Sequence, residues 1–175
     1  TLLRNHQFML LTGTEAEGLP SRRHYQMTTA FRVQPRCFGF YKLWGEKFSA
    51  VEIEEICVAN STMSYEDYQR CRDLDLTVEI FLNDAIFYDL FRLLDRYEIP
   101  RSALIRKVHD TITYGDSPVS QLYRDYRSEE KTNLRNSYEE LASFTSDTKV
   151  VQRYIDSEFG SNEIYKYRVL AIFHH

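Results

Sequence analysis

The stretch VEIEEICVANSTMSYEDYQR, residues 51 to 70, holds a strand pattern, a turn and the start of a helix in direct succession. Apolar residues recur with alternating character up to residue 58, which is typical of a half-buried strand. Ser64 then precedes Asp67 by three residues, the spacing of a capping box, in which each side chain bonds a free backbone amide of the helix start. The sequence therefore predicts that β structure gives way to helix between residues 58 and 64.

The strand in this stretch carries four apolar candidates for its buried face, which are Val51, Ile53, Ile56 and Val58. Because Glu54 and Glu55 interrupt the alternation, we expect a bulge or a register change at that point. The same interruption predicts that Glu52, Glu54 and Glu55 do not all face one side of the strand.

Upstream residues show mainly β-like patterns. The apolar run from Gln7 to Thr14 predicts a buried strand that ends in a turn. Further runs with period-two character follow, and Pro35, Gly39 and Gly45 interrupt them. Residues 1–60 are therefore expected to form a short β-rich lead-in.

Downstream residues show helical patterns. Apolar residues at three- and four-residue steps predict a central helix from Ser64 to about Tyr97, and so unusual a length allows a break near Asn83–Asp84. The predicted apolar stripe of this helix is Tyr68, Cys71, Leu74, Val78, Phe81, Ala85 and Leu90.

Shorter helical patterns continue to Ile155. The tail 161–175 fits a helix or a strand, and helix is favoured because Ser161 and Asn162 offer a cap. The predicted fold class is α+β, mainly α, in which the β-rich segment 1–60 precedes a C-terminal helical domain of residues 61–175.

Length, charge and cysteine content restrict the class of protein. The chain of 175 residues has 22 Lys and Arg against 26 Asp and Glu, and a net charge of −4 indicates neither a nucleic-acid nor a membrane partner. Three cysteines without a disulfide or metal-binding pattern favour a reducing cytoplasm. The first residues do not resemble a signal peptide. A strand-like run follows Thr1 almost at once, so we expect a fragment of a longer protein whose closing His174 and His175 are native or added.

Carboxylates are the main candidates for chemistry. Glu52, Glu54, Glu55 and Asp67 lie close together in the sequence, and carboxylates can share a divalent cation or divide a proton between them. The commoner roles of such charges are a solvated strand edge and a helix cap. A free-standing metal-dependent hydrolase that uses the three glutamates is therefore one alternative.

Histidines and arginines give weaker signals. His24 and His109 are isolated in the sequence, and such histidines are more often surface or hydrogen-bonded core residues than metal ligands. Arg32 and Arg36 lie close to Cys37 and form a candidate anion site, although surface arginines without a ligand are the commoner case.

Several short motifs resemble one protein family. They are LLTGTE (10–15), FRVQPRCFGFY (31–41), EIEEICVANSTMSYEDYQRCRDL (52–74) and LTVEIFLND (76–84). Together they are similar to the C-terminal part of radical S-adenosylmethionine proteins that carry an N-terminal cobalamin-binding domain. The resemblance covers roughly the first half of the chain, up to about Pro100.

This resemblance implies a parent with a 4Fe-4S cluster, S-adenosylmethionine and cobalamin, built on a partial (β/α) barrel. The family's cluster-binding CxxxCxxC is absent here, since Cys37, Cys57 and Cys71 are widely separated, so we expect no cofactor and no catalytic residue in this chain. The turn Thr12-Gly13-Thr14 resembles the end of a late barrel strand and is expected to contribute only to the cofactor-facing rim. The implied partners are the remaining N-terminal domains of the parent.

A second alternative is a helical protein-interaction or regulatory module, which predicts an exposed aromatic face on residues 101–175. The metal-dependent hydrolase instead predicts carboxylates that converge in a pocket. The sequence indicates neither the parent's substrate nor an oligomeric state.

Overall fold

The structure is a computed structural model that describes residues 3, 5–83, 86–158, 160 and 162–174. The described helices and strands are, in chain order, α1 (Leu19–Tyr25), β1 (Thr28–Leu43), β2 (Glu46–Ala59), α2 (Tyr65–Phe81), α3 (Tyr88–Arg96), α4 (Arg101–Thr113), α5 (Pro118–Asn133), α6 (Tyr138–Thr145), α7 (Thr148–Ile155) and α8 (Glu163–His174). Among the described residues helices therefore predominate, with α1 before and α2 to α8 after the antiparallel β1–β2 pair, which confirms the predicted α+β, mainly α, fold class.

The chain packs as two compact units. Unit 1 comprises Thr1–His6, Gln69–Glu129 and Glu163–His175, and unit 2 comprises Gln7–Tyr68 and Glu130–Asn162. Unit 2 thus combines the strands of the lead-in with α6 and α7, which contact both strands. The two compact units do not coincide with the predicted segments 1–60 and 61–175. The assignment of the first segment to the end of a radical SAM barrel stays a prediction.

The predicted register change at Glu54–Glu55 is wrong. Both glutamates lie in a regular part of the ladder, opposite Arg32 and Phe31, and the register shifts lie between Thr28 and Thr29 and between Val33 and Phe38. Glu54 and Glu55 need no bulge because an arginine pairs with each of them. The second shift accommodates residues 34–37, where Pro35 lacks an N–H for the ladder and Arg36 has a left-handed φ of 67°.

Regular register places the apolar residues of β2 on two faces. Val51 and Ile53 pack against a cluster around Leu141, whereas Ile56 and Val58 belong to a cluster with Tyr68. The single buried face predicted for these four residues is therefore wrong, because successive side chains of an unbulged strand point to opposite sides. The glutamates follow the same alternation, and Glu54 and Glu55 point to opposite faces, as predicted.

The predicted buried strand at residues 7–14 is reduced to one isolated bridge, between Met9 and Ile56. The Leu10 amide donates to the carbonyl of Glu55, and Leu10 is buried, but Phe8 and Leu11 are exposed. The prediction overestimated the length of the strand and its burial. The side chains of this run alternate in exposure, and only a few of its residues reach the edge of β2.

The central helix is correctly predicted at its start. The Asp67 amide donates to the Ser64 hydroxyl at 3.1 Å, and the Ser64 amide donates to the Asp67 carboxylate at 3.1 Å. The capping box is therefore formed with both of its reciprocal bonds.

The long pattern from Ser64 to Tyr97 forms two helices, α2 and α3. Asn83 lies in the break, is buried, and exchanges hydrogen bonds with the backbone N–H and C=O of Leu3. Asp84, the other residue of the expected break, lies outside the described residues. An asparagine that bonds another backbone segment favours the end of a helix over its continuation.

The predicted apolar stripe is correct in part. Tyr68 and Val78 are buried, whereas Cys71, Leu74 and Leu90 are exposed, and Ala85 lies outside the described residues. The core of unit 1 instead includes Leu76 and Ile80, together with side chains of α4, α5 and α8.

The tail forms helix α8, as favoured from the sequence. The proposed cap residue Ser161 and the final His175 lie outside the described residues. None of the described helices has the length and apolar character needed to cross a lipid bilayer.

Candidate functional site

The four carboxylates singled out from the sequence are not brought together. Glu54 accepts a bond from Arg32 Nε, Glu55 pairs with Arg22 on the other face, and Glu52 is exposed. Asp67 is engaged in the helix cap. Within the described part of the chain, no group of three or more His, Cys, Asp or Glu side chains is placed to hold a metal ion.

Glu55 is the most strongly bonded of these carboxylates. It accepts bonds from both Nη atoms of Arg22, at 2.5 and 2.7 Å, and from the Thr29 hydroxyl at 2.6 Å. The hydrogen bonds from Arg22 hold the pKa of Glu55 below its ordinary value, against the opposing effect of burial, and raise the pKa of Arg22. This ion pair ties α1 to β2.

Replacing Glu55 by glutamine is expected to lower the free energy of unfolding by about 1.5–3 kcal/mol at pH 7, the usual contribution of hydrogen bonds to a charged group. Because the folded pKa is lowered, this contribution is complete above the unfolded pKa, about 4.3, and is lost as the pH falls through the folded pKa. Urea unfolding from pH 7 to pH 3.5 measures the difference.

Glu52→Gln is the matched control, because Glu52 lies on the same strand and is exposed. It is expected to leave stability unchanged over the same pH range. A loss for Glu55→Gln that stayed constant down to the lowest pH would show that shape, not charge, accounts for it.

The turn Thr12-Gly13-Thr14 is exposed and bonded within itself. The Gly13 amide donates to the Glu17 carboxylate at 2.8 Å, and the Thr14 hydroxyl donates to the carbonyl of Leu11 at 2.7 Å. Gly13 has a φ of 84°, which requires glycine for an unstrained turn. Its contribution to a cofactor-facing rim stays a prediction.

The three cysteines occupy different environments. Cys57 is buried, its thiol donates to the carbonyl of Ala59, and burial raises its pKa. Cys37 is half-buried in unit 2, and Cys71 is exposed in unit 1. That this chain holds no iron-sulfur cluster stays a prediction from the cysteine spacing.

A buried polar cluster on α2 was missed by sequence reasoning. Arg72, Asp73, Asp75 and Thr77 are all buried. The Arg72 guanidinium donates to the Asp75 carboxylate at 3.0 Å, and Arg127 Nε lies 2.9 Å from the Asp73 carboxylate. The four-residue spacing of Asp73 and Thr77 was the available signal, since it places both residues on one helix face.

Thr77 is the centre of this cluster. Its hydroxyl lies 2.9 Å from the Asp73 carbonyl, 2.9 Å from His109 Nδ1 and 3.0 Å from the Tyr123 hydroxyl. Burial lowers the pKa of His109 and raises the pKa of Tyr123, so both side chains are neutral at pH 7. Because Thr77 is fully buried, this Thr–His pair stabilises the core and is not accessible to a substrate.

The distal end of the β1–β2 hairpin has a different character. Residues 41–48, which we call the hairpin end, are all exposed. Its turn is Trp44-Gly45, with φ values of 49° and 89°, the positive pair that a type I′ hairpin turn requires. Trp44 is the only tryptophan of the chain and is 92% exposed.

A groove of about 390 Å³ lies between the hairpin and α7. Its lining residues are Phe40, Lys47, Phe48, Ser49, Thr148, Lys149 and Gln152. Lys47 Nζ lies 4.6 Å from the centre of the Phe40 ring. The hairpin end and this groove form a continuous basic and aromatic surface of unit 2, since Lys47 and Phe48 belong to both.

Comparison with known protein families, with curated proteins and with solved structures finds no match for this chain. The candidate site is therefore assigned from geometry alone. The buried polar residues of α2 are closed to solvent, whereas the hairpin end with its groove is exposed.

Exposed aromatic residues also occur within 101–175, where an interaction module would present them. Tyr114 in unit 1 is 82% exposed, and Phe173 in the same unit and Tyr138 in unit 2 are also exposed. They belong to both units and so do not define one face within a single unit.

Proposed function

We propose that this chain is the accessory, non-catalytic C-terminal part of a radical S-adenosylmethionine enzyme with an N-terminal cobalamin-binding domain. The supporting observation is that three of the four family-like motifs, LLTGTE, FRVQPRCFGFY and the first part of EIEEICVANSTMSYEDYQRCRDL, lie together in unit 2. The Leu10 amide bonds the Glu55 carbonyl, and Arg32 pairs with Glu54, so the motifs contact one another.

The polar groups of these motifs serve packing. Glu54 and Glu55 of β2 pair with Arg32 of β1 and Arg22 of α1, and Ser64 and Asp67 bond each other at the helix cap. A 4Fe-4S cluster, S-adenosylmethionine and cobalamin belong, in this proposal, to the parent's other domains. The free thiols fit a cytoplasmic location.

The partners in this proposal are the parent's N-terminal domains. Leu11 in the first family-like motif, Phe8 before it, and Leu19 and Tyr25 of the following helix α1 are exposed apolar side chains. Apolar side chains in this number on a short segment favour a protein contact over solvent.

The partnership is tested by adding the chain to a cobalamin-dependent radical S-adenosylmethionine protein that lacks its own C-terminal part, and measuring association by calorimetry. We expect binding that Leu11→Asp and Leu19→Asp weaken, because both residues are exposed and the variants retain the fold. Tyr114→Asp, in unit 1, is the control and is expected to bind as the parent does. Absence of binding, or equal losses in all three variants, contradicts the proposal.

The non-catalytic part of the proposal predicts that the purified chain gains no stoichiometric cluster on anaerobic reconstitution. The physical reason is that Cys37, Cys57 and Cys71 lack the CxxxCxxC spacing, and the Cys57 thiol is buried and bonded to the Ala59 carbonyl. Absorption spectroscopy with iron and sulfide analysis measures the result, and a protein with an intact CxxxCxxC is the positive control. Stoichiometric iron and sulfide that Cys37→Ser removes would overturn this part.

A helical protein-interaction module is the second candidate, favoured by the exposure of Tyr114 and Phe173 in unit 1. In that case Tyr114→Asp in the association experiment weakens partner binding and Leu11→Asp does not. The two functions therefore give opposite orders of effect with the same variants.

A further inference from the structure

The hairpin end combines apolar side chains with unpaired positive charge. Tyr41, Leu43, Trp44 and Phe48 are all exposed, and the rings of Tyr41 and Phe48 stack on each other at 5.8 Å. Several large apolar side chains in one exposed patch indicate a binding surface, because the surfaces of soluble proteins usually carry such side chains singly.

Three lysines accompany these apolar side chains. Lys42 lies directly opposite Lys47 in the ladder, and Lys149 lines the adjoining groove. None of the three forms an ion pair with another described residue, and directly opposed like charges destabilise a hairpin. An anionic partner removes this repulsion. Glu46 is the one acidic residue of the hairpin end, so positive charge exceeds negative charge there.

We propose that the hairpin end binds anionic lipid surfaces, with Trp44 at the level of the headgroups and Lys42, Lys47 and Lys149 over lipid phosphates. Tryptophan with exposed aromatic and leucine side chains is typical of membrane interfaces, and lysines near an anionic leaflet strengthen binding. This proposal differs from the expectation drawn from net charge, because a net charge of −4 averages over the whole chain.

The geometry favours a lipid surface over a folded protein partner. Residues 41–48 are exposed on both faces of the hairpin, so a fluid phase can surround their apolar side chains. Trp44 lies four residues beyond Phe40, which is roughly 13 Å along an extended strand. Interfacial segments enter a membrane to a depth of about 5–10 Å, so the hairpin end is long enough to reach that depth.

The type of cation supports the same choice. Arg22, Arg135 and Arg153 of unit 2 each pair with a glutamate, whereas the unpaired cations at the hairpin end are lysines. Arginine suits fixed, bidentate recognition of carboxylate or phosphate, while lysine acts as a mobile point charge that suits diffuse attraction to a fluid anionic surface.

The single tryptophan makes the test direct. The full chain is titrated with vesicles of phosphatidylcholine containing about one-third phosphatidylserine, and with phosphatidylcholine alone, while Trp44 fluorescence is recorded. We expect a blue shift and quenching by brominated lipid with the anionic vesicles only, both reduced by salt because exposed charges are screened.

Variants are compared by vesicle sedimentation, which needs no tryptophan. Trp44→Ala and the pair Lys42→Ala with Lys47→Ala are each expected to weaken binding about tenfold or more, given roughly 1 kcal/mol for each lysine near an anionic surface. The matched controls are Tyr114→Ala and Lys131→Ala, which remove an exposed aromatic ring and an exposed lysine elsewhere. Circular dichroism verifies that every variant is folded.

Several outcomes overturn the proposal. They are equal binding to both kinds of vesicle, no binding to either, and losses in the controls that match those at the hairpin end. A Trp44 shift produced by polyglutamate or by RNA, and not by vesicles, assigns the surface to another class of partner and overturns it as well.

Discussion

Replacing Leu76 by alanine is expected to lower the free energy of unfolding by about 2–5 kcal/mol, the usual range for removing a buried leucine side chain. Leu76 is fully buried in α2 and packs in the cluster that contains Ile80, Ile112 and Tyr123. The cost includes the lost transfer free energy and the cavity left among these neighbours. Urea unfolding, followed by circular dichroism, measures the change in midpoint.

Leu74→Ala is the matched control, because it makes the same chemical change two residues earlier on the same helix, where the side chain is 40% exposed. We expect it to cost well under half as much, since its partly solvated site leaves no closed cavity. Equal losses for the two variants would contradict the assignment of Leu76, and not Leu74, to the core of unit 1.

Local signals in the sequence were reliable where the interacting atoms are close in the chain. The capping box of Ser64 and Asp67 depends only on groups three residues apart, and it is formed as predicted. The break after α2 was also indicated, because a helix of that length is unusual. Its cause was not predictable, since Asn83 bonds Leu3, which is 80 residues away.

Periodicity identified only part of the buried face of α2, and one reason is that it counts only apolar residues. Asp73 and Thr77 are buried although they are polar, and their partners Arg127, His109 and Tyr123 lie 32 or more residues away in the sequence. Burial of a polar group is acceptable only when such partners are present, so it cannot be inferred from the helix alone.

The same reasoning explains the error in β2. Glu54 and Glu55 looked like a break in the alternation, yet Arg32 and Arg22 make both compatible with a regular strand. Arg32 lies opposite Glu54 in the ladder, whereas Arg22 comes from α1. In β2 the sequence pattern therefore identified the strand but not which charges are paired.

The hairpin end illustrates the converse case. Its residues alternate as in a half-buried strand, but residues 41–48 are exposed on both faces. The apolar residues of α6 and α7 pack instead against parts of β1 and β2 that lie farther from the hairpin turn. The surface became visible only when the positions of Trp44, Lys42 and Lys47 were known. Exposed apolar residues, and lysines without an ion pair to another described residue, then define the candidate site together.

Replacing Arg72 by methionine is expected to destabilise the protein by about 3–5 kcal/mol, the range found when one member of a buried ion pair is removed. The Arg72 and Asp75 side chains are only 7% and 11% exposed, and the Asp75 carboxylate also accepts a bond from Asn5. Methionine keeps the aliphatic part of the side chain, so the loss reports mainly the carboxylate left without its cation. Urea unfolding again measures the loss.

The double variant Arg72→Met with Asp75→Leu is the decisive comparison. It removes both charges, and we expect it to regain most of the stability lost in Arg72→Met, because apolar residues often replace a buried ion pair at little net cost. The control is Arg101→Met, whose ion pair with Asp95 is exposed on both sides, and its loss is expected to be far smaller. If the double variant is as unstable as the sum of the two single variants, the charges are not coupled and Arg72 stabilises α2 through other contacts.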